Sequence, residues 1–282
     1  MSARRNLFAF VIVGDSQVPR LNHSLRFLKR FSRQDIVVVA SRCHATIHHE
    51  QVLRFPVAER FDDHQASILL KTNLHRVLGN PPASCCYLDS DVVSVDPRAD
   101  HIFARKRGPV TFAADHTRLA CFSRFAVRCA CVKGECDHLR ESILAKFAIE
   151  VNDPNWQHWN GGVYLFDSES TDFLDTWHTF TRAIFDDPGW KTRDQGTLVA
   201  TVWKFGLESQ PTLDRKFNCI VDPMRRVADS ARPGTKPSSY AVDSSYSLNG
   251  GPGMHPYFLH FINGGVGAVG WKNWDDAAAL MV

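Results

Sequence analysis

The sequence predicts an α/β fold, with a mixed central sheet and helices on both of its faces. Short apolar runs alternate with amphipathic stretches over the first 115 residues, and this alternation is typical of strands and helices that pack in layers. Polar residues follow each apolar run. Because open α/β sheets bind ligands beyond the carboxyl ends of their strands, we expect a Rossmann-like, nucleotide-binding half over residues 1–115.

Periodicity places the individual elements. The predicted strands are short, apolar and bounded by turn residues: Phe8–Gly14, Ile36–Ala40, Arg54–Val57, Ser84–Leu88, Pro109–Ala114, the GGVYLF run at 161–166, and a last strand or turn at Tyr257–Ile262. The predicted helices carry an apolar stripe: Asn22–Phe31, with Leu25 and Leu28 inward, then Asp63–Leu78, Ser170–Phe185 and Asp194–Trp203. Residues 115–155 lack a clean period, so we expect an insertion or a loop there.

Composition favours a globular protein without a nucleic-acid partner. The 282 residues are 44% hydrophobic and 22% charged, and the net charge is +3. These values fit one compact domain over residues 1–282, and no long basic run of the kind that tracks phosphates is present. Small clusters such as Arg4-Arg5, Arg105-Lys106-Arg107 and Arg225-Arg226 could contact an anionic membrane surface or form an ordinary solvated face.

The amino-terminal apolar run is better explained as a strand than as a secretory signal. It covers only Leu7–Val13, lacks a small-residue cleavage site and continues into Gly14-Asp15. No other stretch approaches the roughly 20 apolar residues of a membrane span. The eight cysteines lack the spacing of a disulfide framework, and Cys85-Cys86 lie inside a predicted strand. We therefore expect a cytoplasmic protein, with peripheral contact at the inner face of the membrane as an alternative.

Two carboxylates directly follow one of the predicted strands. Asp89 and Asp91 flank Ser90 after the apolar residues CCYL, and we expect a turn to begin here that lets both carboxylates reach one ion. Mg²⁺ or Mn²⁺ binds carboxylates together with phosphate oxygens, although a solvated turn can have the same sequence. A phosphatase of the haloacid-dehalogenase type would continue with Gly-Thr, whereas Val92-Val93 follow here.

Further polar groups lie beside buried elements. Asn160 precedes the pair Gly161-Gly162, where glycines let the backbone approach a ligand and an amide can hydrogen-bond to sugar hydroxyls; an ordinary turn is the alternative. Asp194 begins a helix, so it is either an N-cap or a residue that orients a sugar hydroxyl, with Gln195 beside the anomeric carbon. His260 lies in an apolar run, where a core residue and a metal ligand both remain open.

In their order and content, these pieces resemble the retaining GT-A glycosyltransferases. That family includes bacterial lipopolysaccharide galactosyl- and glucosyltransferases, glycogenin and plant galactinol synthases. The shared pattern extends from Leu7 to Trp274 and comprises an early strand, a helix with the basic residue Lys71, a Leu-Asp-x-Asp strand, an Asn-x-Gly-Val strand entry, Asp-Gln and a late His-Phe. The resemblance implies a single GT-A-type domain, in which residues 116–282 form the acceptor- and sugar-binding half.

Carried over position by position, the resemblance assigns roles to individual residues. Asp89, Asp91 and His260 would be the ligands of Mn²⁺ or Mg²⁺, and Gln195 and Asp194 would be the catalytic residues beside the transferred sugar. The donor-binding residues would be Val13, Gly14, Asp15, Lys71, Asp89, Ser90, Asp91, Asn160, Gly161, Gly162 and Lys272. Lys272 would replace the diphosphate-binding lysine of the family if the glycine-rich loop before it folds back.

The implied activity is transfer of a hexose from a nucleoside-diphosphate sugar, foremost a UDP-sugar, to a hydroxyl of a glycan, glycolipid or protein-linked acceptor. The resemblance further implies metal dependence, retention of configuration, and a place in lipopolysaccharide or other glycan biosynthesis. A non-catalytic sugar-nucleotide or glycan-binding protein on the same scaffold is the alternative. A nucleotidyltransferase would need a glycine-rich activating loop after the first strand, which Gly14-Asp15-Ser16-Gln17 does not supply.

The cysteine-rich stretch CACVKGECDH lies outside this pattern. Its Cys129, Cys131, Cys136 and His138 are four soft ligands within ten residues, and zinc binds such sets. The Cys-x-Cys spacing is less typical of zinc sites than Cys-x-x-Cys, and reduced loop cysteines are the alternative. The sequence leaves both readings open.

Overall fold

The strands and helices of the computed structural model follow the predicted alternation. The structure describes residues 6–79, 84–131, 134–191, 194–222, 254–269 and 272–281. Its strands are β1 (Leu7–Val13), β2 (Asp35–Ser41), β3 (Val52–Arg54), β4 (Cys85–Leu88), β5 (Val92–Ser94), β6 (Thr111–Ala114), β7 (Trp159–Phe166), β8 (Cys219–Val221) and β9 (Phe258–Phe261). Its α-helices are α1 (Val18–Phe31), α2 (Asp63–Thr72), α3 (Leu74–Val77), α4 (Leu119–Ala126), α5 (His138–Phe147), α6 (Thr171–Ala183), α7 (Asp194–Lys204) and α8 (Lys272–Ala279). None of the helices in these ranges is long and apolar enough to cross a membrane.

Six strands form a mixed central sheet in the order β3-β2-β1-β4-β7-β6. β1 is parallel to both β2 and β4, and β2 is parallel to β3. β7 is antiparallel to its two neighbours, β4 and β6. The predicted mixed sheet is confirmed, with its parallel part drawn from the amino-terminal half of the chain.

Helices cover both faces of the sheet, as predicted. Alternate residues of a strand point to opposite faces, and β1 divides in this way. Phe8 and Phe10 pack with α1, whereas Ala9 and Val11 pack with α2, α6 and α7. These four residues are at most 4% exposed, and the inward leucines predicted for α1 are buried. The sheet is therefore the middle layer of the molecule.

A second, three-stranded sheet has the order β5-β9-β8. The chain leaves the central sheet at the end of β4 and enters the second sheet at β5, so residues 89–91 connect the two. β9 runs antiparallel to β5 and places His260 opposite Val92. The predicted last strand is confirmed, and it lies beside the end of β4.

Strand boundaries differ from the sequence prediction in several places, and β5 and β8 were not predicted. The third strand covers Val52–Arg54 rather than Arg54–Val57, because Pro56 has no N–H to donate to a ladder. β7 begins at Trp159 rather than at residue 161, so Asn160 lies inside the strand together with the two glycines after it. The backbone pairing of β6 with this part of β7 extends the strand.

Helical regions also differ: α1 begins at Val18 rather than at Asn22, and α8 was not predicted. Residues 115–155, predicted to be an insertion or a loop, contain α4 and α5, whose apolar side chains join the core on one face of the sheet. The helix predicted over Asp63–Leu78 is divided at Asn73 into α2 and α3. Helices as short as α4 have too few turns for their period to stand out from a cysteine-rich sequence.

A buried hydrogen bond joins α6 to α7: the hydroxyls of Thr181 and Thr197 lie 2.7 Å apart, and both residues have 0% exposure. Valine has nearly the shape of threonine without the hydroxyl. In a double-mutant cycle of Thr181→Val and Thr197→Val, we expect a coupling of about 0.5–1.5 kcal/mol in the free energy of unfolding. Urea denaturation of the four proteins measures it.

The matched control is the cycle of Thr181→Val with Thr201→Val. The Thr201 hydroxyl donates to the Thr197 carbonyl of its own helix, so these two changes should be additive within about 0.5 kcal/mol. Equal coupling in both cycles would contradict the assignment of the α6–α7 link to this hydrogen bond.

Candidate functional site

The chain turns at Asp89-Ser90-Asp91, as the sequence predicted. The N–H of Val92 donates to the Asp89 carbonyl at 3.0 Å, and the N–H of Phe261 donates to the Asp91 carbonyl at 2.9 Å. The first bond closes the turn, and the second attaches it to β9. The two carboxylates therefore lie at the junction of the two sheets, beyond the carboxyl end of β4.

His260 reaches this turn from β9. Its Nε2 lies 3.3 Å from Asp91 Oδ1, and one ligand atom from each of Asp89, Asp91 and His260 lies within 4.8 Å of the others. The fold thus brings His260 to Asp89 and Asp91, although His260 follows Asp91 by 169 positions in the sequence. Two carboxylates and an imidazole at this spacing could share a divalent cation.

The tautomer of His260 suits metal binding. Its Nδ1 lies 2.9 Å from Asn218 Oδ1, and because an amide oxygen only accepts, Nδ1 must be the donor. Nε2 is then the nitrogen directed at Asp91. Such a hydrogen bond to the second ring nitrogen is what orients histidine ligands in metal sites. Burial alone would lower the pKa of His260, but the Asp91 carboxylate raises it, so positive charge is favoured at this point.

Lys71 joins the two ends of the site. Its Nζ lies 2.7 Å from Asp194 Oδ2 and 3.4 Å from Asp89 Oδ1. Burial alone would lower the pKa of Lys71, but the carboxylates of Asp194 and Asp89 raise it above its ordinary value. The side chain therefore stays charged. Asp194 begins α7, and its carboxylate binds Lys71, so an N-cap role does not account for it.

The two oxygens of Asp89 have different surroundings. Oδ1 accepts a hydrogen bond from the Tyr87 hydroxyl at 2.5 Å and lies beside Lys71. Oδ2 lies on the other side, toward Gly162 and His260. Because Oδ1 is held by two protein groups, the carboxylate has a fixed orientation with Oδ2 turned to the His260 side.

Gly161 and Gly162 leave the space in which these groups meet. A Cβ on Gly162 would lie 2.5 Å from His260 Cε1 and 2.7 Å from Asp89 Oδ2. A Cβ on Gly161 would lie 3.1 Å from both Asp194 Oδ2 and Lys71 Nζ. The two glycines point to opposite faces of β7, so each makes room for one half of the site.

Asp115 organises the half of the site at the start of α7, and the sequence pattern did not identify it as a site residue. Its Oδ2 accepts from the Asn160 and Gln195 side-chain amides, each at 2.9 Å. Burial alone would raise the pKa of Asp115, but His158 and His116 hold it well below its usual range. A signal was present in the sequence, since Asp115 directly follows the β6 strand in the same way that Asp89 follows β4.

Asn218 was also missed, and it completes a continuous chain of hydrogen bonds. Its Nδ2 donates to Asn160 Oδ1 at 3.3 Å, and its Oδ1 accepts from His260. Asn160 in turn donates to Asp115, which accepts from Gln195. Gln195 and His260 are therefore linked through three intervening side chains. No local pattern distinguishes Asn218, because it lies between a short helical turn and β8.

The other predicted donor-binding residues lie at the carboxyl ends of β1 and β4. Val13 and Ser90 line a cavity of about 360 Å³ together with residues of α1 and α2. Gly14 has a φ of +68°, and it turns the chain out of β1. The Asp15 carboxylate accepts from the N–H groups of His44 and Ala45.

Those backbone hydrogen bonds, from Ala45 and then His44, lower the pKa of Asp15. Asp15 therefore fixes the segment that follows β2. Lys272 is the first residue of α8, but its side chain lies outside the described residues, as do residues 270 and 271 before it.

The donor set fits a divalent cation. Within the described ranges, Lys71 pairs with Asp89 and Asp194, and Asp91 lies beside His260. Three carboxylates therefore face one lysine and one histidine, which leaves a surplus of negative charge at the turn. Gly162 has no side chain to fill the space beside Asp89 Oδ2 and His260 Cε1. Carboxylate oxygens suit Mn²⁺ and Mg²⁺, and the added imidazole favours Mn²⁺ of the two.

A solved glycosyltransferase structure is similar to this chain along its whole length. It is described as the bifunctional glycosyltransferase WbbM in its apo form, and the similarity covers 100% of this chain and 50% of that one, with a TM-score of 0.55 and 16% sequence identity. The fold is GT-A-like. The chain spans half the length of this neighbour. No protein-family model and no curated protein matches the sequence.

In this GT-A-like fold, the site lies where the central sheet passes into the second one. Strand ends β4 and β6 contribute Asp89 and Asp115, β7 contributes the glycine pair, and β9 contributes His260. α7 contributes Asp194 and Gln195 at its start, and α2 contributes Lys71. The site thus collects residues from both halves of the chain at one edge of the sheet.

Substitution of Asp115 by Asn tests the hydrogen-bond network around this carboxylate. Asn cannot accept from all of the donors that face Asp115, so we expect the free energy of unfolding at neutral pH to fall by about 3 kcal/mol or more. The folded-state pKa of Asp115 is depressed, so its stabilisation is present above the unfolded-state value of about 4 and is lost as pH falls further. Urea denaturation from pH 7 to pH 3 measures this.

The difference between wild type and Asp115→Asn should therefore stay constant above about pH 5 and shrink below pH 4. Asp186→Asn, which changes an exposed carboxylate, is the control and should have little effect at any of these pH values. A difference that grows as the pH falls would contradict the depressed pKa.

Proposed function

We propose that this chain is a metal-dependent glycosyltransferase that moves a hexose from a nucleoside-diphosphate sugar, foremost a UDP-sugar, to a hydroxyl of a glycan or glycolipid acceptor. One observation carries the proposal: Asp89, Asp91 and His260 converge within 4.8 Å beside the Lys71–Asp194 ion pair. A donor diphosphate and its sugar need both a cation site and a polar sugar pocket, and these lie side by side here. The GT-A-like fold supports the same conclusion.

The donor would lie across the carboxyl ends of β1 and β4. The cavity lined by Val13 and Ser90 is large enough for part of a nucleoside and adjoins the Asp89–Asp91 turn. A divalent cation held by Asp89, Asp91 and His260 would offset the charge of the departing diphosphate. Lys71 keeps Asp89 and Asp194 oriented through its two ion pairs.

The transferred sugar would lie beside Asp194 and Gln195. Gln195 is held by Asp115 through one N–H of its amide, so its carbonyl oxygen is directed by that bond. Groups fixed in this way stabilise developing positive charge at an anomeric carbon without having to reorganise. Asn160 uses its carbonyl oxygen within the protein, where it accepts from Gly162 and Asn218, and we assign it a positioning role.

In the proposed reaction, the bond between the anomeric carbon and the diphosphate oxygen breaks, and the acceptor hydroxyl oxygen forms the new bond to that carbon. The hydroxyl proton passes to the departing diphosphate. Because the departing group accepts the proton on the face that it leaves, no protein carboxylate is needed as a base, and the configuration is retained. Asp194 and Gln195 stabilise the positive charge between the two events.

Replacement of Asp91 by Asn tests the proposal directly. We expect that one donor from a panel of nucleotide sugars, tested with manganese present, raises the melting temperature of the wild type. A ligand that binds the folded state stabilises it. The same donor should be hydrolysed or transferred. Asp91→Asn should lose this activity by about 100-fold or more, while Asp186→Asn keeps it.

The outcomes separate an enzyme from a binding protein. Binding of UDP and manganese by calorimetry without any turnover would favour a non-catalytic nucleotide-sugar binder. Unchanged activity in Asp91→Asn would refute the site assignment.

The two glycines provide a second test, because they face different halves of the site. Ala at position 162 would place its Cβ 2.5 Å from His260 Cε1, and the Asn218 hydrogen bond limits how far the ring can move. We expect Gly162→Ala to weaken manganese binding by about 10-fold or more. Titration followed by the electron paramagnetic resonance of free Mn²⁺ measures it.

The matched variant is Gly161→Ala, whose Cβ would lie 3.1 Å from Asp194 Oδ2 and Lys71 Nζ. These atoms belong to the sugar side, so this variant should lower turnover while it binds manganese nearly as tightly as the wild type. Manganese affinity that is unchanged in Gly162→Ala would place the cation elsewhere.

A further inference from the structure

A second cluster of side chains that can bind a metal is separate from the cluster of Asp89, Asp91 and His260. The cluster consists of Cys129, Cys131, Cys136 and His138, in the segment that connects α4 to α5. One ligand atom from each of the four lies within 4.8 Å of the others, and Cys131 Sγ is 3.8 Å from His138 Nδ1. The three cysteines are half-buried and the histidine is exposed.

We propose that these four residues bind one structural zinc ion. In a tetrahedral site with Zn–S distances of about 2.3 Å, neighbouring sulfur atoms lie about 3.8 Å apart, and the four ligand atoms of the cluster lie within 4.8 Å of one another. Each cysteine would bind as a thiolate and release its proton to solvent. Four protein ligands leave no open coordination position, so the site is structural rather than catalytic.

The surroundings of Cys136 supply the supporting hydrogen bonds that a zinc site needs. Its Sγ lies 3.2 Å from the hydroxyl of Ser123, and that hydroxyl accepts from the N–H of Leu139 at 2.9 Å. The hydroxyl hydrogen is then available to the sulfur. The N–H of Cys136 also donates to the Ala120 carbonyl at 3.1 Å, so α4 holds this cysteine before the ion is bound. Partners of this kind orient ligands and contribute to metal affinity.

Zinc at this position would fix two segments that pack against the start of α7. A Cβ on Gly196 would lie 3.1 Å from Ala126 Cβ and 3.5 Å from Leu139 Cδ1. Ala126 ends α4 shortly before Cys129, and Leu139 follows His138 in α5. The ion would therefore connect α4 and α5, the two helices that pack against the first turn of α7. Zinc binding itself does not depend on the proposed function.

The two metal sites differ in chemistry. Thiolates select zinc, whereas carboxylates suit manganese and magnesium. The cluster at Cys129–His138 has three sulfur ligands, and the cluster at Asp89 has two carboxylates and one imidazole. Each site can consequently be tested with its own variants.

Elemental analysis of the wild-type protein, purified under reducing conditions without chelator, tests the proposal. We expect about one zinc per chain. Replacement of the zinc by Co²⁺ should produce the intense visible and near-ultraviolet absorption of tetrahedral cobalt–thiolate coordination. Both measurements use the unaltered chain, so they hold even if a cysteine variant fails to fold.

Cys136→Ser should lose most of the zinc and lower the melting temperature. Cys121→Ser is the matched control, because Cys121 is also half-buried in the same region but contacts Glu135 and lies outside the cluster. It should retain zinc, as should Asp91→Asn. The assignment would be overturned if Asp91→Asn lost its zinc while Cys136→Ser kept it. It would also be overturned by a zinc-free, reduced wild type that gives no cobalt–thiolate spectrum, or by one whose cluster cysteines form disulfides.

Discussion

The site depends on two consecutive glycines at the centre of the fold. β7 crosses between the Lys71–Asp194 ion pair on one side and Asp89 with His260 on the other, and a side chain at either glycine would enter space that these groups occupy. A strand normally separates its two faces with side chains. Here neither glycine has a side chain, so groups from α2, α7, β4 and β9 approach one another within a few ångströms, and Lys71 contacts Asp89 directly. The GT-A-like arrangement of strands supplies the positions, and the glycines make the convergence sterically allowed.

Two connections hold the halves of the site in a fixed relation. Lys71 links Asp89 to Asp194 through charge, and the amide chain from Gln195 through Asp115 to His260 links them through hydrogen bonds. Burial strengthens both, because unpaired polar groups are costly in a low-dielectric interior. A donor bound here would meet groups that are already oriented, which is the arrangement that electrostatic catalysis requires. The proposed zinc ion would extend this rigidity to the helices that support α7.

The sequence predicted the parts of the fold that local pattern determines. Apolar period located most strands and the inward leucines of α1, and the polar residues after β4 indicated the turn at Asp89. Asn218 was missed because its importance comes from partners more than 40 residues away, and a single sequence contains no record of such pairs. Asp115 also has distant partners, and its place directly after β6 was the one local signal for it. The start of β7 was placed too late for a related reason, since glycine weakens a strand by its own propensity and only pairing with β6 extends the strand through Asn160. The short helices α4 and α5 were not predicted, because the cysteine-rich segment between them interrupts the apolar periodicity.

Diffraction at the manganese absorption edge, from crystals grown with UDP and manganese, tests the central claim most directly. The account predicts one anomalous peak in contact with the carboxylates of Asp89 and Asp91 and with Nε2 of His260, and density for the diphosphate beside it. A peak at another position, or no peak at a saturating manganese concentration, would contradict it.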